Sequence, residues 1–229
     1  MKLIFIPGSG NTGLVWHYQA EHFADSEAIS LPGHPEGEPC TSVEDYVDWL
    51  HQHVIDQGYS EPILIGHSLG GAVAQTYALS YPEDVKGLVL IGTGARLRVR
   101  PDFLSLLEAG ADYPPAWFRS FVERFYDRVA PGVRERVINK VTEVGARVQL
   151  NDFRCCDKFD IMDRVHQIGA PTLVICGTED EMTPPKYSQY LATKISGARL
   201  VIIDGSTHFV FMEKPDEVNR AIEEFLDSL

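Results

Sequence analysis

Short apolar runs alternate with longer amphipathic stretches along most of the chain. The runs at residues 3–6, 62–66 and 85–91 have the length and composition of buried strands. Residues 42–57 carry apolar side chains at helical spacing, and residues 69–80 form a stretch of small residues. We predict further strands at residues 27–31, 172–176 and 200–203 and further helices at residues 13–24, 185–195 and 215–229. This alternation predicts a doubly wound α/β fold with a mainly parallel sheet of about six strands.

One long segment interrupts the alternation after the fourth predicted strand. Residues 95–167 contain no strand signal, but they contain two apolar lines at helical spacing. The first line, which we predict to form one helix face, comprises Phe118, Phe121, Val122, Phe125 and Val129. The second comprises Val133, Val137, Val141, Val144 and Val148. We therefore expect a core of residues 1–94 and 168–229, with residues 95–167 as an inserted helical lid.

The sharpest motif is Gly66-His67-Ser68-Leu69-Gly70-Gly71, which lies at a predicted strand-to-helix junction. So sharp a turn holds its central residue in a strained backbone conformation, and it leaves no room for side chains two residues before and after. Ser68 would stand clear at the carboxyl edge of the sheet, beside the positive end of a helix. The motif predicts a nucleophilic serine, and a turn that only packs small residues is the alternative.

A serine hydroxyl needs a base, and histidine titrates in the suitable range. Among the eight histidines, His208 directly follows the last predicted strand, so it should lie at the same edge of the sheet as Ser68. His67 is the neighbour of Ser68, and we expect its side chain to point elsewhere. These positions predict His208 as the base.

The base in turn needs a carboxylate that orients its ring. Three acids follow the strand predicted at residues 172–176, namely Glu179, Asp180 and Glu181. The short side chain of Asp180 suits a fixed hydrogen bond to a ring nitrogen, and we expect its two neighbours to face solvent. Asp180 is therefore the predicted acid, with a simple acidic surface turn as the alternative.

Acyl transfer also needs two backbone N–H groups for the developing oxyanion. We predict that Leu69 supplies one at the start of the helix that follows the turn at Gly66–Gly71, which we call the elbow. Ser9 in the loop Pro7-Gly8-Ser9-Gly10 would supply the other, since glycines let the backbone approach a substrate. Alone this loop resembles a phosphate loop, but neither nucleotide-binding spacing is present.

Composition narrows the choice of partners. A formal net charge of −13 argues against nucleic acids and anionic membrane surfaces. No apolar stretch approaches the roughly 18 residues of a membrane span, and the short run at the start predicts a strand rather than a signal peptide. The four cysteines form no Cys-x-x-Cys pair, so we expect a reducing, cytoplasmic setting without a bound metal or cofactor.

Together these residues resemble the α/β-hydrolase superfamily over essentially the whole chain. The order Ser, Asp, His along the chain is that of this fold. The most similar subgroup comprises small serine esterases, lactonases and C–C hydrolases with a helical lid. Besides the elbow, the resemblance rests on Pro7-Gly8-Ser9-Gly10, Leu31-Pro32-Gly33-His34, residues 171–180, Gly205-Ser206-Thr207-His208-Phe209 and Glu213-Lys214-Pro215.

Two features depart from the family pattern. The family usually begins its oxyanion loop with His-Gly, where this chain has Pro7-Gly8, so the hydrogen bonds around the loop must differ. The chain also starts at what the family counts as its third strand, which predicts a sheet trimmed to its parallel part. The serine at the elbow argues against epoxide hydrolase and haloalkane dehalogenase chemistry, because both use an aspartate there.

The resemblance implies a serine hydrolase that acts on a small molecule through an acyl-enzyme, with a carboxylic ester as the favoured substrate. One alternative is lactonase, C–C hydrolase or lyase chemistry on the same residues, and another is a ligand-binding protein with little turnover. Trp117, Phe118 and Phe121 are candidates for an apolar acyl pocket, although their spacing also fits packing against the core. Three arginines at the start of the insert are expected to form a solvated, charge-balancing cluster, with contact to a substrate carboxylate as the alternative: Arg96, Arg98 and Arg100.

Overall fold

A six-stranded sheet forms the centre of the structure, a computed structural model that describes residues 1–229. The strands are β1 Leu3–Ile6, β2 Ser26–Ala28, β3 Ile63–His67, β4 Gly87–Ile91, β5 Thr172–Gly177 and β6 Arg199–Ile203. Their order is β2-β1-β3-β4-β5-β6, and every neighbouring pair is parallel. The predicted α/β class is confirmed, and each predicted strand is present.

Helices cover both faces of this sheet. They are α1 His17–His22, α2 Val43–Asp56, α3 Leu69–Ser80, α4 Pro101–Gly110, α5 Pro115–Glu123, α6 Pro131–Val144, α7 Ala146–Lys158, α8 Pro185–Lys194, α9 Val210–Glu213 and α10 Pro215–Leu226. Apolar residues of α2, α3 and α8 belong to one core cluster, and those of α10 belong to the other. None of the helices combines the length and apolar character that crossing a bilayer requires. All four cysteines are free thiols.

The alternation of side chains along the central strands explains their continuous apolar sequences. Leu3 and Phe5 of β1 point into one core cluster, whereas Ile4 and Ile6 point into the other. All four are at most 3% exposed. Because helices cover both faces of a parallel sheet, each face needs apolar residues, and the period-2 polar pattern of a half-exposed strand is lost.

Helices α4 to α7 occupy the chain between β4 and β5, and an isolated antiparallel bridge between Arg96 and Asp160 joins the two ends of this insert. The boundaries at 94/95 and 167/168 stay a prediction.

The expectation of one helix face from Phe118 to Val129 is wrong. Helix α5 ends at Glu123, a short 3₁₀ turn follows, and α6 begins at Pro131. The proline opposes helical conformation at Ala130, whose ψ of 135° is extended.

Parallel strands place all their carboxyl ends at one edge of the sheet. The turns after β1, β3, β4, β5 and β6 therefore begin on the same side of the molecule. The loop at Pro7, the serine elbow, and the loops that carry Asp180 and His208 all lie at this edge. The topology thus gathers segments that are separated widely in sequence.

Candidate active site

Ser68 occupies a strained turn between β3 and α3. Its φ of 52° and ψ of −114° lie in a region that residues with side chains rarely adopt. A Cβ at Gly66 would lie 2.2 Å from the carbonyl oxygen of Gly70, and a Cβ at Gly70 would lie 2.3 Å from that of Ile6. Close backbone contacts therefore require both glycines, as the motif spacing predicts.

Two hydrogen bonds from the turn after β4 hold this elbow. The Ser68 N–H donates to the carbonyl oxygen of Ile91 at 3.0 Å. The hydroxyl of Thr93, which is fully buried, donates to the carbonyl oxygen of Ser68 at 2.9 Å. Both polar groups of the strained residue are satisfied, so its side chain is the part left to face the cavity.

Asp180 and His208 form a buried pair at the same edge. The Asp180 Oδ2 lies 2.9 Å from Nδ1 of His208, and the two residues are 3% and 6% exposed. Asp180 Oδ1 accepts from the N–H groups of Met182 and Thr183 at 2.9 Å and 2.8 Å. Burial alone would raise the pKa of Asp180, but the charge and hydrogen bond of His208, with the bonds from Thr183, lower it below its ordinary value. The carboxylate is therefore ionised, and its neighbour Nδ1 is the protonated ring nitrogen.

Two further residues shape this pair, and the sequence analysis missed both. The Thr183 hydroxyl donates to Asp180 Oδ2 at 2.8 Å and lies 3.3 Å from His208 Nδ1. Gly92, with φ of +53°, makes room, because a Cβ there would lie 3.3 Å from His208 Nδ1 and 3.4 Å from Asp180 Oδ2. The position of Gly92 directly after β4 is a signal that points to this edge of the sheet.

His67 lies against the candidate base, contrary to our expectation that its side chain points elsewhere. Its ring centroid is 4.6 Å from that of His208, and its Nε2 donates to the His208 carbonyl oxygen at 3.1 Å. Full burial, with the charge of His208, holds the pKa of His67 well below its ordinary value. A neutral His67 therefore supports the backbone of His208 without competing as a base.

The loop after β1 packs directly on the elbow. A Cβ at Gly8 would lie 3.1 Å from Cβ of Ser68, so only glycine lets the loop approach this closely. The Ser9 N–H donates no hydrogen bond within the protein, and Leu69 contributes the first N–H of α3, which has no acceptor within its own helix. These are the two N–H groups that the sequence singles out.

Ser68 lies on two connected spaces. A cleft of about 1000 Å³ contains Ser68 and His208, and a smaller cavity of about 30 Å³ adds Ser9. Ser68 and His208 face these spaces without a direct hydrogen bond between them. Such bonds are often long until substrate closes the site.

Only one of the three predicted substrate contacts lines either space. Phe121 does, together with Val122, Phe125 and Tyr126 of the same segment. Trp117 stacks on Phe121 at 5.7 Å and Phe118 stacks on it at 6.3 Å, so both lie behind the cavity wall. Trp117 and Phe118 thus pack on Phe121 and line neither space, and their predicted contact with substrate stays a prediction.

Charged residues near the cleft are arranged as expected. Glu179 and Glu181 are exposed, and Glu179 pairs with Arg128 at 2.6 Å. The three arginines at the start of the insert pair with acids: Arg96 and Arg98 with Asp160, and Arg100 with Asp102. These pairs balance charge at the surface.

A parallel α/β sheet with a strained serine elbow and a buried Asp–His pair at its carboxyl edge defines an α/β hydrolase. The profile of the Alpha/beta hydrolase family matches residues 3–221, and the chain belongs to this family. A monoacylglycerol lipase abhd6-A of Xenopus laevis is 28% identical over 226 residues, which cover 88% of this chain and 67% of that protein.

Two further relatives carry the name esterase. A pimeloyl-[acyl-carrier protein] methyl ester esterase of Neisseria meningitidis is 25% identical over 215 residues, 88% of this chain and 68% of that protein. A solved structure of a thermophilic esterase is 32% identical, with a TM-score of 0.83, and covers 99% of this chain and 89% of that one.

Gly66→Ala should destabilise the fold by about 2–4 kcal/mol, because its Cβ would meet backbone rather than a movable side chain. The measurement is the free energy of unfolding in urea. Gly132→Ala on α6 is the control, since nothing lies within 4 Å of its Cβ, and we expect it to be neutral or stabilising by up to about 1 kcal/mol. Equal stability of the two variants would contradict the steric argument.

Acidification should destabilise the fold through His67. The folded protein keeps this ring neutral, whereas the unfolded chain takes up its proton below about pH 6.5. The contribution of the neutral His67 ring to the free energy of unfolding is therefore present above that pH. It is lost as pH falls, by up to about 1.4 kcal/mol per pH unit.

The measurement compares unfolding free energies of wild type and His67→Gln between pH 7.5 and 5.5. Glutamine keeps an N–H donor but does not titrate. The unfolding free energy of wild type should therefore fall relative to that of His67→Gln as pH is lowered. His166→Gln, at an exposed position, should run parallel to wild type. A pH-independent effect of His67→Gln would refute the assignment.

Proposed function

We propose that this protein is a serine hydrolase that cleaves carboxylic esters through an acyl-enzyme. The observation that carries the proposal is the buried Asp180–His208 pair at the same sheet edge as the strained Ser68 elbow. A buried carboxylate on Nδ1 fixes the ring so that Nε2 is the basic nitrogen.

The proposed reaction has two steps. Ser68 Oγ attacks the ester carbonyl as its proton passes to His208 Nε2, and the N–H groups of Ser9 and Leu69 hold the oxyanion. His208 then gives the proton to the leaving alkoxide, which departs as an alcohol. A water molecule attacks the acyl-enzyme by the same route, and the acid is released as Ser68 regains its proton.

An apolar acyl group suits the space beside Ser68. Phe103, Phe125 and Phe153 line the cleft of about 1000 Å³ together with Phe209. The wall offers the acyl chain aromatic contacts, and the insert helices that supply most of it would act as the lid. The esterase names of two relatives support the ester as substrate.

The first test measures hydrolysis of p-nitrophenyl acetate, butyrate and octanoate by wild type and by Ser68→Ala, with a fluorophosphonate probe on both. We expect turnover and labelling in wild type and neither in the variant, because the probe reacts with an activated serine. Ser120→Ala, at an exposed position on α5, is the matched control and should keep both.

Other outcomes separate the alternatives. Labelling without ester turnover would indicate that the substrate is a lactone, or a compound with a cleavable C–C bond, attacked by the same nucleophile. A folded wild type that takes no label would overturn the assignment of Ser68.

Asp180→Asn should lower kcat for p-nitrophenyl butyrate by a factor on the order of 10³–10⁴. An amide can present its N–H to His208 Nδ1 and stabilise the wrong tautomer. Glu181→Gln, the neighbouring exposed acid, should change kcat by less than about twofold, since surface charges contribute little. A loss below tenfold in folded Asp180→Asn would rule out the proposed role.

A further inference from the structure

A buried carboxylate of the insert receives hydrogen bonds from three separate parts of the core. Asp152 on α7 accepts at Oδ2 from the Gly10 N–H at 2.8 Å and at Oδ1 from the Tyr46 hydroxyl at 2.8 Å. Nε2 of His34 also donates to Oδ2 at 2.7 Å. The side chains of Asp152 and His34 are both 0% exposed. Three donors thus satisfy the carboxyl group of Asp152 in the interior.

The histidine of this pair is surrounded by acceptors alone. Nε2 of His34 faces the carboxylate, and Nδ1 lies 3.1 Å from the carbonyl oxygen of Leu31 and 3.0 Å from that of Pro32. Because carbonyl oxygens only accept, Nδ1 carries a proton. Burial works against the charged ring, but Asp152 and the two carbonyls raise the pKa of His34 above its ordinary value. These contacts favour the protonated ring of His34 beside Asp152.

These bonds hold a single peptide of the loop after β1. The N–H of the Ser9–Gly10 peptide donates to Asp152, and its carbonyl oxygen accepts from the Asn11 side-chain amide at 3.0 Å. The Tyr126 hydroxyl, also from the insert, donates to Asn11 Oδ1 at 2.7 Å. The Ser9 N–H belongs to the preceding Gly8–Ser9 peptide, whose carbonyl oxygen accepts from the Asn11 N–H at 3.1 Å. Because each peptide is planar, holding the peptides on both sides of Ser9 restricts the direction of its N–H.

The loop also packs closely on α7. A Cβ at Gly10 would lie 1.9 Å from Oε1 of Gln149, and the Ser9 hydroxyl lies 3.5 Å from Sγ of Cys156. Pro7 stands where related loops carry a histidine, and proline has no side-chain donor and no N–H. The insert therefore supplies much of the support for this loop, beside the bonds that Asn11 makes within it.

We propose that Asp152 is a positioning residue for hydrolysis, which holds the Ser9–Gly10 peptide so that the Ser9 N–H points at the developing oxyanion. This inference rests on the proposed serine hydrolase function. It gives the insert a second role beside covering the cleft, because helix α7 sets the geometry of the oxyanion hole.

The test compares Asp152→Asn with wild type on p-nitrophenyl butyrate. Asparagine keeps the size of the side chain but cannot accept from Gly10 and His34 as a carboxylate does. We expect kcat to fall by a factor on the order of 10–100, because one oxyanion donor is misaligned rather than removed. KM should change little, since the ground-state carbonyl depends less on this N–H.

A second readout separates positioning from loss of stability. An alkyl trifluoromethyl ketone forms an adduct on the serine whose oxyanion occupies the hole, so its affinity should fall by the same factor as kcat. Asp157→Asn is the matched control, because this residue lies on the same helix and accepts from the Val99 N–H at 3.0 Å, away from the loop. It should leave kcat and inhibitor affinity unchanged even where it costs stability.

Each outcome bears on the inference. A folded Asp152→Asn with unchanged kcat and inhibitor affinity, beside an active wild type, overturns this inference alone. A wild type without turnover or labelling overturns the proposed function and the inference together. If Asp152→Asn does not fold, Tyr126→Phe removes the support at the other end of the same peptide. It must then lower kcat and inhibitor affinity in parallel, and no change in either overturns the inference.

Discussion

Backbone segments that touch with no side chain between them are the constraint on which this site depends. At the elbow, Gly66 meets the carbonyl of Gly70, and Gly70 meets that of Ile6. Further along the same edge of the sheet, a Cβ at Gly177 would lie 2.2 Å from the carbonyl oxygen of Ser206. The second contact locks the turns after β5 and β6 together, and these are the turns that carry Asp180 and His208. Glycine thus fixes the turn that carries the serine and the two turns that carry Asp180 and His208.

The sequence predicts the core because its signals are local: a strand that is buried on both faces is continuously apolar. It also predicts which residues lie at the carboxyl edge, because the loop after a parallel strand begins there. Ser68 directly follows β3, and Asp180 and His208 lie in the loops after β5 and β6. The structure places Asp180 and His208 in contact and Ser68 at the same cleft.

The insert is predicted less well because its arrangement depends on tertiary packing. Helical periodicity identifies apolar faces but does not say which residue on a face reaches the cavity, and of Trp117, Phe118 and Phe121 only Phe121 lines it. The bond between His34 and Asp152 joins residues 118 positions apart, and no spacing rule connects them. The one sequence signal was Pro7 in place of the usual histidine, which indicated that the bonds around the loop must differ but not where they come from.

Three buried histidines at this edge of the sheet differ in what their two ring nitrogens contact, and these contacts determine what each ring can do. His208 gives Nδ1 to a carboxylate and leaves Nε2 without a partner in the protein. His34 has acceptors at both ring nitrogens, so both nitrogens serve structure. His67 gives one N–H to a carbonyl and buries the other nitrogen without a partner, which keeps it neutral. A histidine beside an aspartate is therefore insufficient to define a base. The free nitrogen at the cavity, which only His208 has among these three, is what makes acid–base chemistry possible.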